Sequence, residues 1–182
     1  NKLKEYESSY ETVLYLSNLG FSTKDSMLVY NTYKERVKEV IEEDIYQLEY
    51  SIYELNFKKI DRIALKNGLE RDAFVRIRAA ILYIMEEVSN TYGHSYFYYE
   101  EIFKYLPRVL LVNINDEAYQ KALDSLIDDL MIINKEERYY LKEMWEAETL
   151  IVKRFRLLSH KGDEKFKNLE DFIKSSKMIS ID

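Results

Sequence analysis

Two short stretches carry residue types suited to holding an anion: Ser17 to Asp25 and Tyr53 to Asp61. In the first, the backbone amides of Gly20, Phe21 and Ser22 precede a helical pattern, with the Thr23 hydroxyl and the Lys24 ammonium beside them. In the second, the amides of Asn56 and Phe57 stand next to Lys58, Lys59 and Arg62. The first N–H groups of a helix lack intrahelical partners, and the helix dipole adds positive potential, so together they attract an oxyanion. Contacts of this kind grip nucleic-acid phosphates without reading bases, and they weaken steeply with salt. Both stretches read Leu-(Gly/Asn)-Phe. Gly and Asn take positive φ most readily, which a sharp turn between two helices needs, so positive φ is expected at Gly20 and also at Asn56. Ser22 followed by Asp25 reads as a capping box. Leu, Phe and Asp recur at a spacing of 36 residues (19/55, 21/57, 25/61), which makes the second stretch a weak repeat of the first. The plainer reading of either stretch is an ordinary corner between two helices.

Other chemistries find little support. The chain has no Cys, which removes disulfides, a thiolate nucleophile and Cys-ligated zinc. His94 and His160 lie far apart and lack spaced metal partners, so His94 is expected to make a structural contact after Gly93. The pairs Glu42-Glu43, Glu86-Glu87 and Asp128-Asp129 are neighbours on helical patterns and do not face each other. No G-x-x-x-x-G-K-[ST] phosphate loop occurs, so ATP chemistry is not expected of this chain. Among the 17 tyrosines many fall at core spacing, and only Tyr96 to Tyr99 is dense enough to act as a stacking platform.

The elements that must position these residues are mostly helical. Leu3, Tyr6, Tyr10, Val13 and Leu14 mark a first helix, and Met27, Leu28 and Tyr30 mark its partner after the turn. Val37, Val40 and Ile41 mark a third, and Asp44 can cap a short helix carrying Ile45, Leu48 and Ile52. After the second turn a helix from Lys58 is closed by Gly68. A long helix from about Asp72 to Thr91 ends at Gly93, His94 to Phe97 is strand-like, and Glu100 to Leu106 is a brief helix closed by Pro107. Asn115 or Asp116 caps the next helix, and Met131 to Ile133 and Arg138 to Leu141 flank the turn Asn134 to Glu137 as a β-hairpin. Met144, Ala147, Ile151, Phe155 and Leu158 stripe a last long helix, and Gly162 onward is polar, with a weak helix near Leu169 to Ile173. The expected fold is mostly α: a tandem helix-hairpin-helix over 1–69, a winged-helix-like α+β unit with a small β-hairpin over 70–158, and a linker over 159–182.

Charge is uneven along the chain. The net charge is −6, yet Leu55 to Arg78 holds seven basic and three acidic residues, while Ala79 to Glu148 holds six basic and fourteen acidic. A phosphate contact is therefore expected from the second hairpin and the residues after it. The would-be recognition helix of the winged part carries Asp116, Glu117, Asp124, Asp128 and Asp129 against Lys121, and that face would repel a nucleic-acid backbone. With no apolar run of membrane length and no signal peptide, a soluble cytoplasmic protein is expected; the first residue, Asn1, suggests a piece of a longer chain.

The motifs in their order carry a resemblance. Asn18-Leu19-Gly20-Phe21-Ser22, Tyr30-x-x-Tyr33 and Asp44-Ile45-Tyr46-x-Leu48 resemble the first half of the helix-hairpin-helix region of RecD-like ATP-dependent DNA helicases. Phe57-Lys58-Lys59-x-Asp61-Arg62-Ile63-Ala64, Arg76-Ile77-Arg78-Ala79-Ala80 and Gly93-His94-x-Tyr96 are similar to its continuation, and Ala147-Glu148-x-x-Ile151 to the helix leading toward the motor. The resemblance implies a parent helicase of superfamily 1 with 5′→3′ polarity, related to the exodeoxyribonuclease V alpha chain. In that reading Met178 to Asp182 leads into an ATPase core outside this chain, and ATP and Mg belong to that motor, with no cofactor in this fragment. Where the family's second hairpin reads Gly-Ile-Gly-Phe, this chain reads Glu54-Leu55-Asn56-Phe57, and Lys34 and Ile45 replace a Gly and a Pro after the first. The expected function is a DNA-binding accessory region acting near a single-strand/duplex junction through Gly20, Phe21, Ser22, Thr23, Lys24, Asn56, Phe57, Lys58, Lys59 and Arg62. The alternative is a protein-interaction or spacer module that positions the motor without touching DNA.

Overall fold

A computed structural model describes residues 2–165, with side chains from Ser9 to Leu158. It is mostly α with one small two-stranded antiparallel sheet. Two compact units divide the chain, Asn1–Leu141 and Lys142–Asp182. The expected linker over 159–182 falls in the second unit; its weak helix at Leu169 to Ile173 and the segment Met178 to Asp182 lie outside the described residues. None of the described helices is long and apolar enough to cross a membrane.

In the first unit, α1 (Lys2–Leu19) turns at Gly20 into α2 (Thr23–Tyr33). The turn closes by two bonds, Phe21 N–H to Leu16 C=O at 3.1 Å and Gly20 N–H to Ser17 C=O at 3.0 Å. That pair is a Schellman closure, which needs a left-handed residue at the first position past the helix, and Gly20 supplies it with φ 108°. Ser22 then caps α2, its Oγ accepting the Asp25 N–H at 3.1 Å and donating to the Asp25 carboxylate at 2.7 Å.

A 3₁₀ turn over Lys34–Arg36 separates α2 from α3 (Val37–Asp44), the helix marked by Val37, Val40 and Ile41. The break is Lys34, held at φ 53° and ψ −123° by its own N–H bonding the Tyr30 carbonyl. A Cβ is strained there, at roughly 1–3 kcal/mol. Lys34→Gly should therefore raise stability by about 1 kcal/mol in urea denaturation, after the extra unfolded-state freedom of Gly is subtracted. Lys34→Ala, which keeps the Cβ, should gain nothing; equal gains from both would place the effect in the lost ammonium instead.

The chain continues through α4 (Gln47–Ser51) into the second turn and α5 (Phe57–Lys66). Asn56 does not take positive φ. It sits at φ −86°, ψ 162° as the cap of α5, its Oδ1 accepting the Lys59 N–H at 3.1 Å. The four residues after α4 reverse the chain by themselves, with Leu55 N–H bonding Ile52 C=O at 2.9 Å, so no left-handed residue is needed. The caps Ser22 and Asn56 therefore match at a spacing of 34 rather than the 36 of the Phe21 and Phe57 side chains.

Beyond Gly68 (φ 92°), α6 (Phe74–Tyr92) is the central helix, packed against α5, α7 (Tyr99–Leu110) and α8 (Asp116–Asp128). Pro107 lies inside α7 instead of closing it; the helix runs three residues further, to Leu110, and ends at Leu111, φ 53°, whose N–H returns to Pro107 C=O. β1 (Ile132–Lys135) pairs with β2 (Arg138–Leu141) in the register Ile133 to Tyr140 and Lys135 to Arg138. The expected strand before α7 is reduced to one bridge, Phe97 to Tyr139, closed by two 2.9 Å bonds. One hydrophobic core runs through the unit from Leu16 to Tyr139. At its centre Arg76, 1 % exposed, makes a two-bond pair with Asp61 (2.7 and 3.0 Å), and Tyr46 donates to the same carboxylate at 2.7 Å. Burial works against the charge of Arg76, and the Asp61 carboxylate more than restores it, holding the guanidinium pKa above its ordinary value.

The second unit is described over α9 (Lys142–Lys165), which leaves Leu150, Ile151, Val152, Phe155, Leu157 and Leu158 exposed.

Candidate nucleic-acid interface

The two helix starts expected to hold an anion face one another. Lys59, third residue of α5, reaches Asp25, third residue of α2, at 3.1 Å. Burial disfavours the Asp25 carboxylate, yet the Ser22 hydroxyl and Lys59 ammonium outweigh it and hold its pKa below the ordinary range. Lys59 is thereby an internal tie, and it also lies 3.5 Å from the Glu54 carbonyl.

The amides differ in what they are already bonded to. Gly20 and Phe21 N–H close the end of α1, and the Phe21 side chain is buried. Phe57 N–H donates to the Glu49 carboxylate at 2.8 Å, and its ring stacks between Tyr46 and Tyr83 at 5.8 and 4.9 Å. A carboxylate of the chain itself thus occupies the anion position at the start of α5. Burial pushes the Glu49 carboxyl up to about 7, the Phe57 amide opposing and the nearby Glu86 charge adding. At the first hairpin, Ser22, Thr23 and Lys24 are exposed, and the first-turn amides of Thr23 and Lys24 have no intrahelical acceptor.

Among the basic residues, the tract from Leu55 to Arg78 splits in two. Arg76 is buried on Asp61, and Arg78 ties α6 to α8 through Ser125 at 2.8 Å and Asp129 at 2.6 Å. Lys58, Arg62 and Lys66 are exposed and recur every four residues along α5, so they share one face of that helix. Lys58 Nζ stands 5.4 Å from the Tyr83 ring. At the other end of the stripe, Lys66 Nζ lies 3.7 Å from where a Cβ on Gly20 would sit, and Asn67 donates to the Leu19 carbonyl at 2.8 Å. The end of α5 is therefore docked on the first hairpin. Lys66 is not among the expected site residues; its spacing from Arg62 is the available signal, but its nearness to Gly20 depends on tertiary packing.

The remaining expectations concern acids and histidines. Asp116, Glu117, Asp124 and Asp128 of α8 are exposed along a shallow groove shared with Phe74 and Lys121. His94 packs against Tyr92 and Phe97 at 6.2 and 5.9 Å, and the His160 side chain lies outside the described residues. Among the described residues no group of three or more His, Asp or Glu could hold a metal ion.

Comparison with known families finds a match over residues 5–96, which takes in both hairpins, α5 and α6. That match covers half of the 182 residues. The chain belongs to the family of the HHH domain of ATP-dependent RecD2 DNA helicases.

Proposed function

We propose that this chain is the DNA-binding accessory region of an ATP-dependent 5′→3′ DNA helicase, gripping backbone phosphates near a single-strand/duplex junction without reading sequence. The observation that carries the reading is the exposed Lys58–Arg62–Lys66 stripe of α5, which ends against the Gly20 hairpin. Lys24 and the Thr23 hydroxyl extend the cationic, donor-rich path onto α2, where the first-turn amides supply further donors. In this reading Gly20 shapes the hairpin, Phe21 and Phe57 anchor the two helix starts in the core, and Asn56 and Lys59 hold the second helix in place. The hairpin region within residues 1–69 faces DNA, and the chain after it leads toward a motor that brings ATP and Mg in a cytoplasmic helicase.

Salt dependence tests the reading because each lost phosphate contact removes about one unit from the slope of log affinity against log salt. Changing Lys58, Arg62 and Lys66 together to Gln should weaken binding of the 182-residue chain to forked DNA and flatten that slope by about 2–3 units. Lys59→Gln should leave the slope unchanged, since its ammonium is held by Asp25. An unchanged slope in the triple variant would move the assignment to a spacer or protein-interaction module, the role favoured by the acidic face of α8.

A further inference from the structure

A second surface, remote in sequence from the hairpins, has a different chemistry. The bridge at Phe97 and the hairpin β1–β2 make a small three-stranded patch. Its inner face is Phe97, Tyr139 and Ile132, all buried. Side chains alternate along strands, so Tyr96, Tyr98, Arg138, Ile133 and Lys135 share the outer face with Tyr140, whose ring is buried beneath them (6 % exposed). The rings are assembled there: Tyr96 lies 5.7 Å from Tyr98 edge-on and 5.7 Å from Tyr140, and the Arg138 guanidinium sits 5.1 Å from the Tyr96 centroid. Tyr96 and Tyr98 are 36 % and 43 % exposed.

We propose that this face binds single-stranded nucleic acid, with Tyr96 and Tyr98 stacking unpaired bases and Arg138 and Lys135 taking the adjoining phosphates. Base faces are available only in an unpaired strand, and a tyrosine ring accepts any of them, so the site selects strandedness rather than sequence. Charge supports the same occupant. Between Ala79 and Glu148 acids outnumber bases fourteen to six, yet both β-hairpin residues paired at the end of the outer face, Lys135 and Arg138, are cations. The acids Glu136 and Glu137 occupy the turn beyond them, both at positive φ (53° and 62°), and put negative charge at the tip of the hairpin, away from the rings.

The test uses the whole 182-residue chain and two probes of equal length, oligo-dT and an abasic oligonucleotide that keeps the phosphates and lacks the bases. Stacking of one or two bases predicts at least roughly tenfold tighter binding of oligo-dT. Tyr96→Ala with Tyr98→Ala should erase that preference while leaving duplex affinity unchanged, whereas Tyr→Phe at both positions should keep it. If the Ala pair loses helical circular dichroism, Tyr→Leu at both positions makes the same decision. Equal binding of the two probes by the parent chain, or a preference that survives loss of both rings, overturns the site and leaves the aromatic face to a protein partner. The Lys58, Arg62 and Lys66 variant should weaken both probes equally and keep the base preference, so failure of the α5 reading and failure of this one give different results.

Discussion

Arg76→Met should destabilise the first unit by about 3–5 kcal/mol, the range for removing one partner of a buried ion pair. The reason lies in the groups the substitution leaves behind. Asp61, 9 % exposed, would be left in the core with only the Tyr46 hydroxyl beside its carboxyl group. Arg76 also donates to the backbone carbonyls of Arg71 and Leu110, the latter at 3.0 Å, so the start of α6 and the end of α7 would each lose a donor. In thermal unfolding the loss should appear as a drop of roughly 10 °C or more for a unit of this size. Adding Asp61→Leu and Tyr46→Phe to Arg76→Met should recover much of the loss, because a buried pair replaced by apolar groups of similar volume is often close to neutral. A single Arg76→Met that costs less than about 1 kcal/mol would mean that water reaches Asp61, contrary to its burial.

The same guanidinium illustrates which features can be read from sequence. The first hairpin is legible because its chemistry is local: Gly20 closes α1, Ser22 caps α2, and Asp25 completes the cap, all within six residues. The helices are legible from apolar spacing, and the β-hairpin from its polar turn. Charges are not. Arg76, Arg78 and Lys59 count as cations in any tally, yet their partners Asp61, Asp129 and Asp25 lie 15, 51 and 34 residues away. Only packing decides that Lys58, Arg62 and Lys66 keep their charges facing outward. The second hairpin misleads for a related reason. Its Leu-Asn-Phe copies the side-chain order of Leu-Gly-Phe, but Asn56 is the cap, and the residue matching it in the first hairpin is Ser22. Identity of side chains follows one register and the backbone follows another. Pro107 reads as a stop in the sequence; the structure accommodates it within α7 and stops at Leu111.

Glu49→Gln should remove the part of the pH dependence of stability between about pH 4.5 and 7 that Glu49 contributes. In the parent chain one carboxylate oxygen accepts the Phe57 N–H, and the other, Oε2, is buried with no hydrogen-bond partner among the described residues. A helix N-terminus ordinarily favours a carboxylate, but here burial dominates and raises the pKa from 4.5 to about 7. Linkage sets the sign. The folded state binds the Glu49 proton more tightly than the unfolded state, so its contribution is complete below the unfolded pKa and is lost as pH rises through the folded one. At pH 8 the parent chain therefore holds an unfavourable charge that glutamine lacks. Glutamine keeps an oxygen for the Phe57 amide, so Glu49→Gln should be more stable than the parent by roughly 1–3 kcal/mol at pH 8, with partial solvent screening included, and close to equal at pH 4.5. Urea denaturation at both pH values measures the difference directly. A variant whose stability runs parallel to the parent's across that range would show that Glu49 titrates normally, and that the carboxylate beside Phe57 is reached by water.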